Sequence, residues 1–257
     1  MKIYCINLDR RQDRFARMQD IAAMAQVGLD RVSAVDAKDP GNHPMIAAMK
    51  SKGRIGALGA ATIACSLSHI RAWRSFLDDP EIPDMAAFLE DDILLSRDFK
   101  TTLSDLQSGD FGFDLIKLES TGALRAGAVL GPPSKVNARR TIRQSHQLLL
   151  DSAGYILTRQ GARALLEKTS MLDTGIDHFL FYPLRRKNFP AVAYGVVIPS
   201  VVVQDRSLNS DVSENRFTDK RWQRDLRRAP YEAAQVWHIL NGLLFKGARI
   251  VSADYED

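Results

Sequence analysis

Short apolar runs alternate with helical segments along the whole chain, and this alternation is the feature that most limits its fold. Ile3 to Leu8 is an apolar run typical of a buried strand, and apolar residues from Phe15 to Ala25 then recur at helical spacing. A second strand is predicted around Arg31 to Val35. Strand, helix and strand in this order predict a parallel α/β sheet.

The rest of the chain continues this alternation, apart from residues 37–54, which are expected to form a loop. The predicted strands are Met85 to Leu89, Phe113 to Leu118, Gly154 to Thr158 and a last segment within Val192 to Val203. The predicted helices are Ile55 to Leu77, Arg159 to Lys168 and residues 216–246, the last interrupted at Pro230.

The composition is that of a globular protein and excludes disordered and collagen-like chains. The 257 residues carry a net charge of +4, 45% of them are hydrophobic, and no low-complexity linker divides them. The longest uncharged apolar run, Ala191 to Val203, is shorter than the ~18 residues that span a bilayer. No signal-peptide core precedes Asp9, so a cytoplasmic protein is expected. Cys5 and Cys65 are expected to be reduced core thiols.

Three consecutive acidic residues, Glu90, Asp91 and Asp92, follow the apolar run that ends at Leu89. Their mutual repulsion at the end of a rigid strand is unfavourable unless something compensates it. Mg²⁺ or Mn²⁺ would do so, since these ions bind one or two carboxylates together with substrate phosphates. The alternative is a solvated acidic turn that caps a helix near Phe99.

A polar segment, Asn7 to Arg11, also follows a predicted strand, and Arg14 lies one helical turn beyond Arg10. Ligands of open α/β sheets collect at the carboxyl ends of the strands. Arginine side chains there are able to contact the phosphates or the base of a nucleotide. Solvated arginines on a first helical turn are the alternative.

Several motifs, taken in order, resemble glycosyltransferase family 25. The similarity covers roughly residues 1–212 and is carried by Ile6 to Arg14, Gly56 to Gly59, Ser66 to Trp73, Phe88 to Asp92, Ala153 to Ala162, Ile176 to His178, Pro199 to Gln204 and Ser210 to Val212.

The resemblance implies a GT-A-like fold with a Rossmann-type central sheet flanked by helices. Residues 1–215 would form the catalytic domain, and residues 216–257 a basic, helical C-terminal extension packed on it. The implied activity is metal-dependent, inverting transfer of a hexose, most often galactose, from a UDP-sugar to a lipopolysaccharide or lipooligosaccharide acceptor.

The resemblance also assigns site residues. Asp92 is expected to bind Mn²⁺ or Mg²⁺ directly, and Glu90 is the second residue assigned to the metal site. Asp91 is expected to lie nearer to the ribose or the donor sugar. The remaining donor-site candidates are Asn7, Leu8, Arg10, Arg14, Ser68 and His69. His69 could instead be a half-buried histidine bonded to a carbonyl.

Inverting transfer needs a carboxylate that takes the proton of the acceptor hydroxyl. Asp177 is the first candidate, with capping of the following helix or acceptor binding as its alternatives. Asp151 is the second candidate and Glu119 the third. Gln204, Asp205 or His178 could supply an additional metal ligand.

Two basic segments, Lys135 to Arg143 and Arg185 to Lys187, could contact an anionic glycolipid with the help of the basic stretch 216–228. Ordinary solvated loops are the alternative for these two segments. The stretch 216–228 and the apolar residues after it favour peripheral contact with the inner membrane, while packing on the core or a dimer partner is the alternative. No nucleic-acid-binding signature is present. A catalytically silent nucleotide-sugar- or carbohydrate-binding module and a metal-dependent nucleotide-sugar phosphohydrolase remain the alternative functions.

Overall fold

The protein has a mixed α/β fold in the computed structural model, which describes residues 1–49, 58–79, 84–169, 174–182, 192, 194–208 and 221–257. The strands are β1 (Lys2–Asn7), β2 (Asp30–Ser33), β3 (Met85–Glu90), β4 (Ile93–Leu95), β5 (Leu115–Lys117), β6 (Ala128–Leu130), β7 (Ser134–Lys135), β8 (Thr141–Gln144), β9 (Gly154–Thr158), β10 (Tyr194–Ile198), β11 (Val202–Gln204) and β12 (Arg249–Val251). The α-helices are α1 (Gln12–Met24), α2 (His43–Ala48), α3 (Ala60–Asp78), α4 (Phe99–Ser108), α5 (Gly122–Ala126), α6 (Arg159–Lys168), α7 (Ile176–Phe181) and α8 (Arg221–Phe245).

Eight strands form the central sheet in the order β2-β1-β3-β9-β5-β10-β8-β7. Strand β1 is parallel to both β2 and β3, whereas β9 is antiparallel to both of its neighbours, β3 and β5. Side chains alternate across the sheet: Tyr4 packs in one core cluster with residues of α3 and α6, and Cys5 packs in the other with residues of α1 and α4. The predicted central sheet with helices on both faces is therefore confirmed.

The strand register determines which residues meet at one edge of the sheet. Ile6 of β1 is paired with Glu90 of β3, so Asn7 and Asp91 leave the sheet side by side. Because β9 runs the other way, Gly154 lies opposite Leu89, and the residues that precede β9 lie at this same edge. The Glu90 amide donates to the Ala153 carbonyl at 2.9 Å and joins the two segments.

The predicted loop at residues 37–54 is wrong in part, because a 3₁₀ helix (Pro40–Asn42) and α2 lie within it. The Asp39 carboxylate accepts a hydrogen bond from the Gly41 amide and caps the first of them. Ile46 then buries the apolar side of α2 in a small cluster that also contains residues of α3. This burial explains why a short segment with little periodicity is helical.

Two predicted helix limits also differ from the structure. Helix α3 begins at Ala60, and residues 55–57 of the predicted helix lie outside the described residues. Helix α8 continues through Pro230, so the predicted interruption is wrong: a proline removes one backbone bond, and a 25-residue helix retains the others. Residues 216–220 are not described.

The C-terminal segment returns to the body of the fold. Strand β12 pairs with β6, and the Ser200 amide donates to the Asp254 carbonyl at 3.0 Å. The division into domains at residue 215 stays a prediction. No helix in the described part of the chain combines the length and the hydropathy needed to cross a bilayer.

Candidate active site

A cleft of about 360 Å³ opens at the edge of the sheet where β3 ends and β9 begins. It is lined by Thr62 and Cys65 of α3, Glu90 and Asp92 after β3, Leu150 to Ser152 before β9, Gly175 to His178 at the start of α7, and Gln204 to Arg206 with Leu208 after β11. A second cavity of about 90 Å³ shares Cys65, Glu90 and Asp92 with it and extends towards Leu8, Arg14, Ser68 and His69. The structure thus brings most of the predicted site residues together.

Asp91 faces away from the larger cleft and is held by two buried partners. Asn7 donates from Nδ2 to its Oδ2 at 2.7 Å, and Arg14 donates from Nη1 to its Oδ1 at 3.0 Å. Burial raises the pKa of Asp91 in spite of both partners. Glu90 and Asp92, in contrast, line the larger cleft.

Glu90 lies between a serine and a histidine. The Ser152 hydroxyl donates to its Oε1 at 3.0 Å, and Nε2 of His69 lies 3.4 Å from the same oxygen. Burial alone would raise the pKa of Glu90, but His69 and Ser152 outweigh it and hold the pKa below its usual value. Glu90 is therefore ionised at neutral pH.

His69 is buried and held from its other side. Its Nδ1 lies 2.8 Å from the Tyr155 hydroxyl, whose oxygen also accepts a hydrogen bond from Nε1 of Trp73. The sequence alternative in which His69 bonds to a carbonyl is thus wrong for Nδ1, because Nδ1 contacts the Tyr155 hydroxyl instead. The indole and the phenol fix the imidazole ring with Nε2 directed towards Glu90.

Asp92 has the least compensated carboxylate of the acidic cluster. Its Oδ1 is buried and has no hydrogen-bond partner among the described residues. Burial, followed by repulsion from Glu90 and Asp91, raises the pKa of Asp92 to about 7. A buried, unpartnered carboxylate oxygen next to an ionised carboxylate matches the ligands that Mg²⁺ and Mn²⁺ prefer. Glu90 and Asp92 therefore fit a divalent cation, and the solvated acidic turn does not describe them.

Asp177 enters the cleft from the first turn of α7. Gly175, and not Asp177, occupies the N-cap position of this helix, and Asp177 lies in its first turn. Its Oδ1 accepts the His178 amide at 2.8 Å and lies 3.2 Å from His178 Nδ1. Burial acts to raise the pKa of Asp177, but these contacts outweigh it and the pKa lies below its usual value.

The two other candidate bases occupy different positions. Asp151 lines the cleft with its backbone in the left-handed region, at φ 70°, and its carbonyl accepts a 2.6 Å hydrogen bond from Lys117 Nζ. Glu119 is fully buried, 3.3 Å from the same ammonium, and does not line the cleft. Burial raises the pKa of Glu119 to about 8.

Several candidates are engaged elsewhere. Arg10 pairs with Asp36 at 2.6 Å and lines neither cavity. The Ser68 hydroxyl lines the smaller cavity but donates to the Ala64 carbonyl and accepts the Val35 amide, so it holds the segment after β2 against α3.

The three candidates for an additional metal ligand all line the cleft, but they differ in their contacts. The Asp205 carboxylate pairs with Arg17 at 2.5 Å and accepts from Ser207, so it is already satisfied. Gln204 and His178 also line the cleft, and His178 contacts the Asp177 carboxylate.

The basic segment Lys135 to Arg143 is not a uniform cationic surface. Arg140 is fully buried and donates two hydrogen bonds to Asp98, at 2.9 and 2.6 Å. Arg143 donates to the Gly131 carbonyl at 3.0 Å. The other basic segment, Arg185 to Lys187, lies outside the described residues.

Cys65 is a site residue that the sequence analysis missed. The interpretation as a core thiol holds for the buried Cys5, whereas Cys65 is half-buried and lines both cavities. Single ligand atoms of Cys65, His69 and Glu90 lie within 4.8 Å of one another. The four-residue spacing of Cys65 and His69 was the available signal, because it places both side chains on one face of a helix.

A comparison with protein families matches residues 1–180 to glycosyltransferase family 25 (LPS biosynthesis protein). No curated protein matches the chain.

Solved structures similar to this chain include three glycosyltransferases. One is involved in glycosylation of the major capsid of PBCV-1, with 9% identity, 91% of this chain and 100% of that chain covered, and a TM-score of 0.42. Another is a Drosophila β-1,4-galactosyltransferase 7 variant in complex with manganese, UDP-Gal and xylobiose, with 12% identity, 88% and 79% covered, and a TM-score of 0.32. The third is GlyE of Streptococcus pneumoniae, with 14% identity, 94% and 55% covered, and a TM-score of 0.33. These likenesses are distant and concern the fold alone.

Proposed function

The chain belongs to glycosyltransferase family 25. We therefore propose that it transfers a hexose from a UDP-sugar to a lipopolysaccharide or lipooligosaccharide acceptor, with galactose as the first candidate for the hexose. One observation carries this proposal. Glu90, Asp92 and Asp177 are among the carboxylates that line one cleft, and a buried oxygen of Asp92 has no partner among the described residues. Such a cleft has carboxylates that would bind a cation together with the diphosphate, and a further carboxylate that would accept a proton.

Asp92 and Glu90 are the residues that would hold Mn²⁺ or Mg²⁺. When bound, the cation supplies positive charge that stabilises the departing diphosphate. Asp92 contributes an oxygen that is already buried away from water before the cation binds. The Ser152 hydroxyl orients the Glu90 carboxylate. His178 and Gln204 are the better candidates for a further ligand, because the Asp205 carboxylate is paired with Arg17.

Asp177 is proposed as the general base. The acceptor hydroxyl oxygen attacks the anomeric carbon and forms the new glycosidic bond, while the bond from that carbon to the diphosphate oxygen breaks. The electron pair of the broken bond leaves with UDP, and the hydroxyl proton passes to the Asp177 carboxylate. The lowered pKa of Asp177 keeps this carboxylate ionised over the neutral range. Asp151 is the alternative base.

The smaller cavity, of about 90 Å³, is proposed to take one part of the nucleotide. Leu8, Arg14, Ser68 and His69 line it together with Glu90 and Asp91. Asn7 lies beneath and keeps Asp91 in place. Arg10, at the rim of the same sheet edge, is proposed to reach the phosphates only after it leaves Asp36.

The end of α8 is proposed to contact an anionic lipid surface, which would bring the cleft close to a lipid-linked acceptor. Trp237 and Leu244 are exposed by 67% and 70% and lie two helical turns apart on one face of α8. Phe245 is exposed by 74%, and the exposed cations Lys246 and Arg249 follow it. Exposed apolar residues with adjacent cations are typical of helices that bind at membrane interfaces.

The test is a panel of nucleotide sugars with Mn²⁺, Mg²⁺ or EDTA, scored for UDP release with and without oligosaccharide acceptors. We expect release with UDP-galactose that requires both metal and acceptor. Asp92→Asn should abolish release, and Asp20→Asn, which changes an exposed carboxylate of α1, should leave it unchanged.

The same panel separates the two alternative functions. Release at the full rate without any acceptor would identify a nucleotide-sugar phosphohydrolase. Saturable binding of a nucleotide sugar without release would identify a catalytically silent module. Either result would overturn the transferase proposal.

A further inference from the structure

Cys65, His69 and Glu90 form a cluster with ligand chemistry different from that of Asp92. Cys65 and His69 lie four residues apart on α3, and Glu90 approaches them from the end of β3. One sulfur, one imidazole nitrogen and one carboxylate oxygen lie within 4.8 Å of one another. The cluster therefore joins a helix to the sheet edge through three potential metal ligands.

The position of the His69 ring favours a ligand over a simple hydrogen bond. Its Nε2 is buried and has no hydrogen-bond partner among the described residues, although Oε1 of Glu90 is only 3.4 Å away. Two ligands on a tetrahedral zinc ion, with bonds of about 2.0–2.1 Å, are separated by about 3.3 Å. The imidazole and the carboxylate thus already have nearly the spacing of a zinc site.

The groups around the cluster would orient its ligands. Nδ1 of His69 is held at 2.8 Å by the Tyr155 hydroxyl, and Tyr155 is in turn fixed by Trp73. The Ser152 hydroxyl is bonded to the Glu90 carboxylate. Outer contacts of this kind set the ring orientation and basicity of metal-bound histidines and carboxylates.

We propose that Cys65, His69 and Glu90 bind a divalent ion that prefers sulfur ligands, and that this ion is Zn²⁺. Three protein ligands leave a fourth position, which would open into the cleft that Cys65 and Glu90 line. A thiolate and an imidazole select zinc over Mg²⁺ and Mn²⁺, whereas the oxygens at Asp92 favour the latter. This site does not depend on the proposed transferase activity. Because Glu90 belongs to both sets of ligands, zinc bound here would compete with the cation at Asp92.

The test measures metal binding by the full, metal-free chain without nucleotide. Titration calorimetry with ZnCl₂ should show one zinc per chain, and CoCl₂ should produce a thiolate-to-cobalt charge-transfer absorption band. Loss of outer contacts typically costs about 10–100-fold in metal affinity, so Cys65→Ser and His69→Gln, which remove ligands, should cost at least about 100-fold. His43→Gln changes an exposed imidazole outside both cavities and should bind zinc like the wild type.

Two controls keep the result decisive. Far-ultraviolet circular dichroism of each metal-free variant checks that it is folded. In the wild type, zinc should slow alkylation of Cys65 by iodoacetamide more than tenfold, while Cys5 is fully buried and protected in either state. Unchanged zinc affinity in Cys65→Ser, cobalt binding without the charge-transfer band, or alkylation that zinc does not slow would each overturn the proposal.

Discussion

Asn7 donates a 2.7 Å hydrogen bond to Asp91 and so ties the end of β1 to the end of β3. Arg14 occupies the other carboxylate oxygen of Asp91, and all three side chains are buried. The contact fixes the rotation of the acidic segment about its own axis. Glu90 and Asp92 line the cleft because Asp91 is held on the opposite side.

Asp91→Ala should destabilise the protein strongly. The substitution leaves the Arg14 guanidinium buried beside a cavity and removes one of the two acceptors of the Asn7 amide. Breaking a buried ion pair by removing one partner costs about 3–5 kcal/mol in the free energy of unfolding. Urea denaturation monitored by circular dichroism measures this loss. Asp13→Ala, which removes the exposed partner of Arg11, should leave stability nearly unchanged, and equal effects of the two substitutions would contradict the assignment.

Asp177→Asn should abolish transfer but leave UDP binding intact. The amide keeps the volume of the side chain and loses the ability to take the acceptor proton, an effect of about 10²–10⁴-fold on turnover. Initial rates and calorimetric UDP affinity separate the two properties. Asp151→Asn is the matched comparison, because Asp151 lines the same cleft. If Asp151→Asn loses turnover and Asp177→Asn retains it, the base is Asp151.

Glu119→Gln should change how stability depends on pH. The pKa of Glu119 is about 8 in the folded protein, against an ordinary value of 4.5. Between these values the folded state holds a proton that the unfolded state has lost, so stability falls as pH rises through this window. The slope for one group is at most about 1.4 kcal/mol per pH unit. The variant should therefore gain stability relative to the wild type as the pH rises.

Guanidinium denaturation at about pH 5 and about pH 8 measures this difference. Glu167→Gln removes an exposed carboxylate of α6 and should run parallel to the wild type. Parallel curves for Glu119→Gln would show that the Glu119 carboxyl titrates in its ordinary range.

The combined change Trp237→Glu and Leu244→Glu should release the protein from lipid. Co-sedimentation with phosphatidylcholine vesicles should be strong only when they contain phosphatidylglycerol, and it should weaken with added salt. Met24→Glu, at a position exposed by 78% on α1, is the control and should sediment like the wild type. A dimer in light scattering that the double variant dissociates would instead make this surface a contact between copies.

Much of the central sheet could be predicted because its strands are buried on both faces. Met85 to Leu89 and Gly154 to Thr158 are continuous apolar runs, and both form strands where expected. The resemblance to glycosyltransferase family 25 was also sufficient to identify the family. The position of the acidic residues after Leu89 could also be predicted, because they directly follow a strand that ends at the edge of the sheet.

The elements that were missed depend on distant partners. Strand β4 has three residues and pairs with β11, which lies far along the chain. Such a short segment has no periodicity to detect. Helix α2 is similarly short, and only its contact with α3 explains it.

The site was predictable in its acids but not in the groups that orient them. Lys117 sits in an apolar strand and reads as an isolated charge, yet it binds the Asp151 carbonyl. Tyr155 reads as a core aromatic residue, yet its hydroxyl holds His69. The role of Lys117 depends on β5 and β9 being neighbours in the sheet, and the role of Tyr155 depends on α3 packing against β9. No local pattern reveals either arrangement.

The reversed direction of β9 has a consequence for how this enzyme family can diversify. One wall of the cleft, Leu150 to Ser152, comes from the loop that enters β9, while the acidic segment comes from the end of β3. The two walls belong to separate stretches of the chain, and they are joined by the ladder between these strands and by the hydrogen bond from Ser152 to Glu90. If the proposed function holds, exchanging residues 145–152 between relatives should change this wall of the cleft, and with it the sugar that is extended, while the proposed nucleotide-binding residues stay in place.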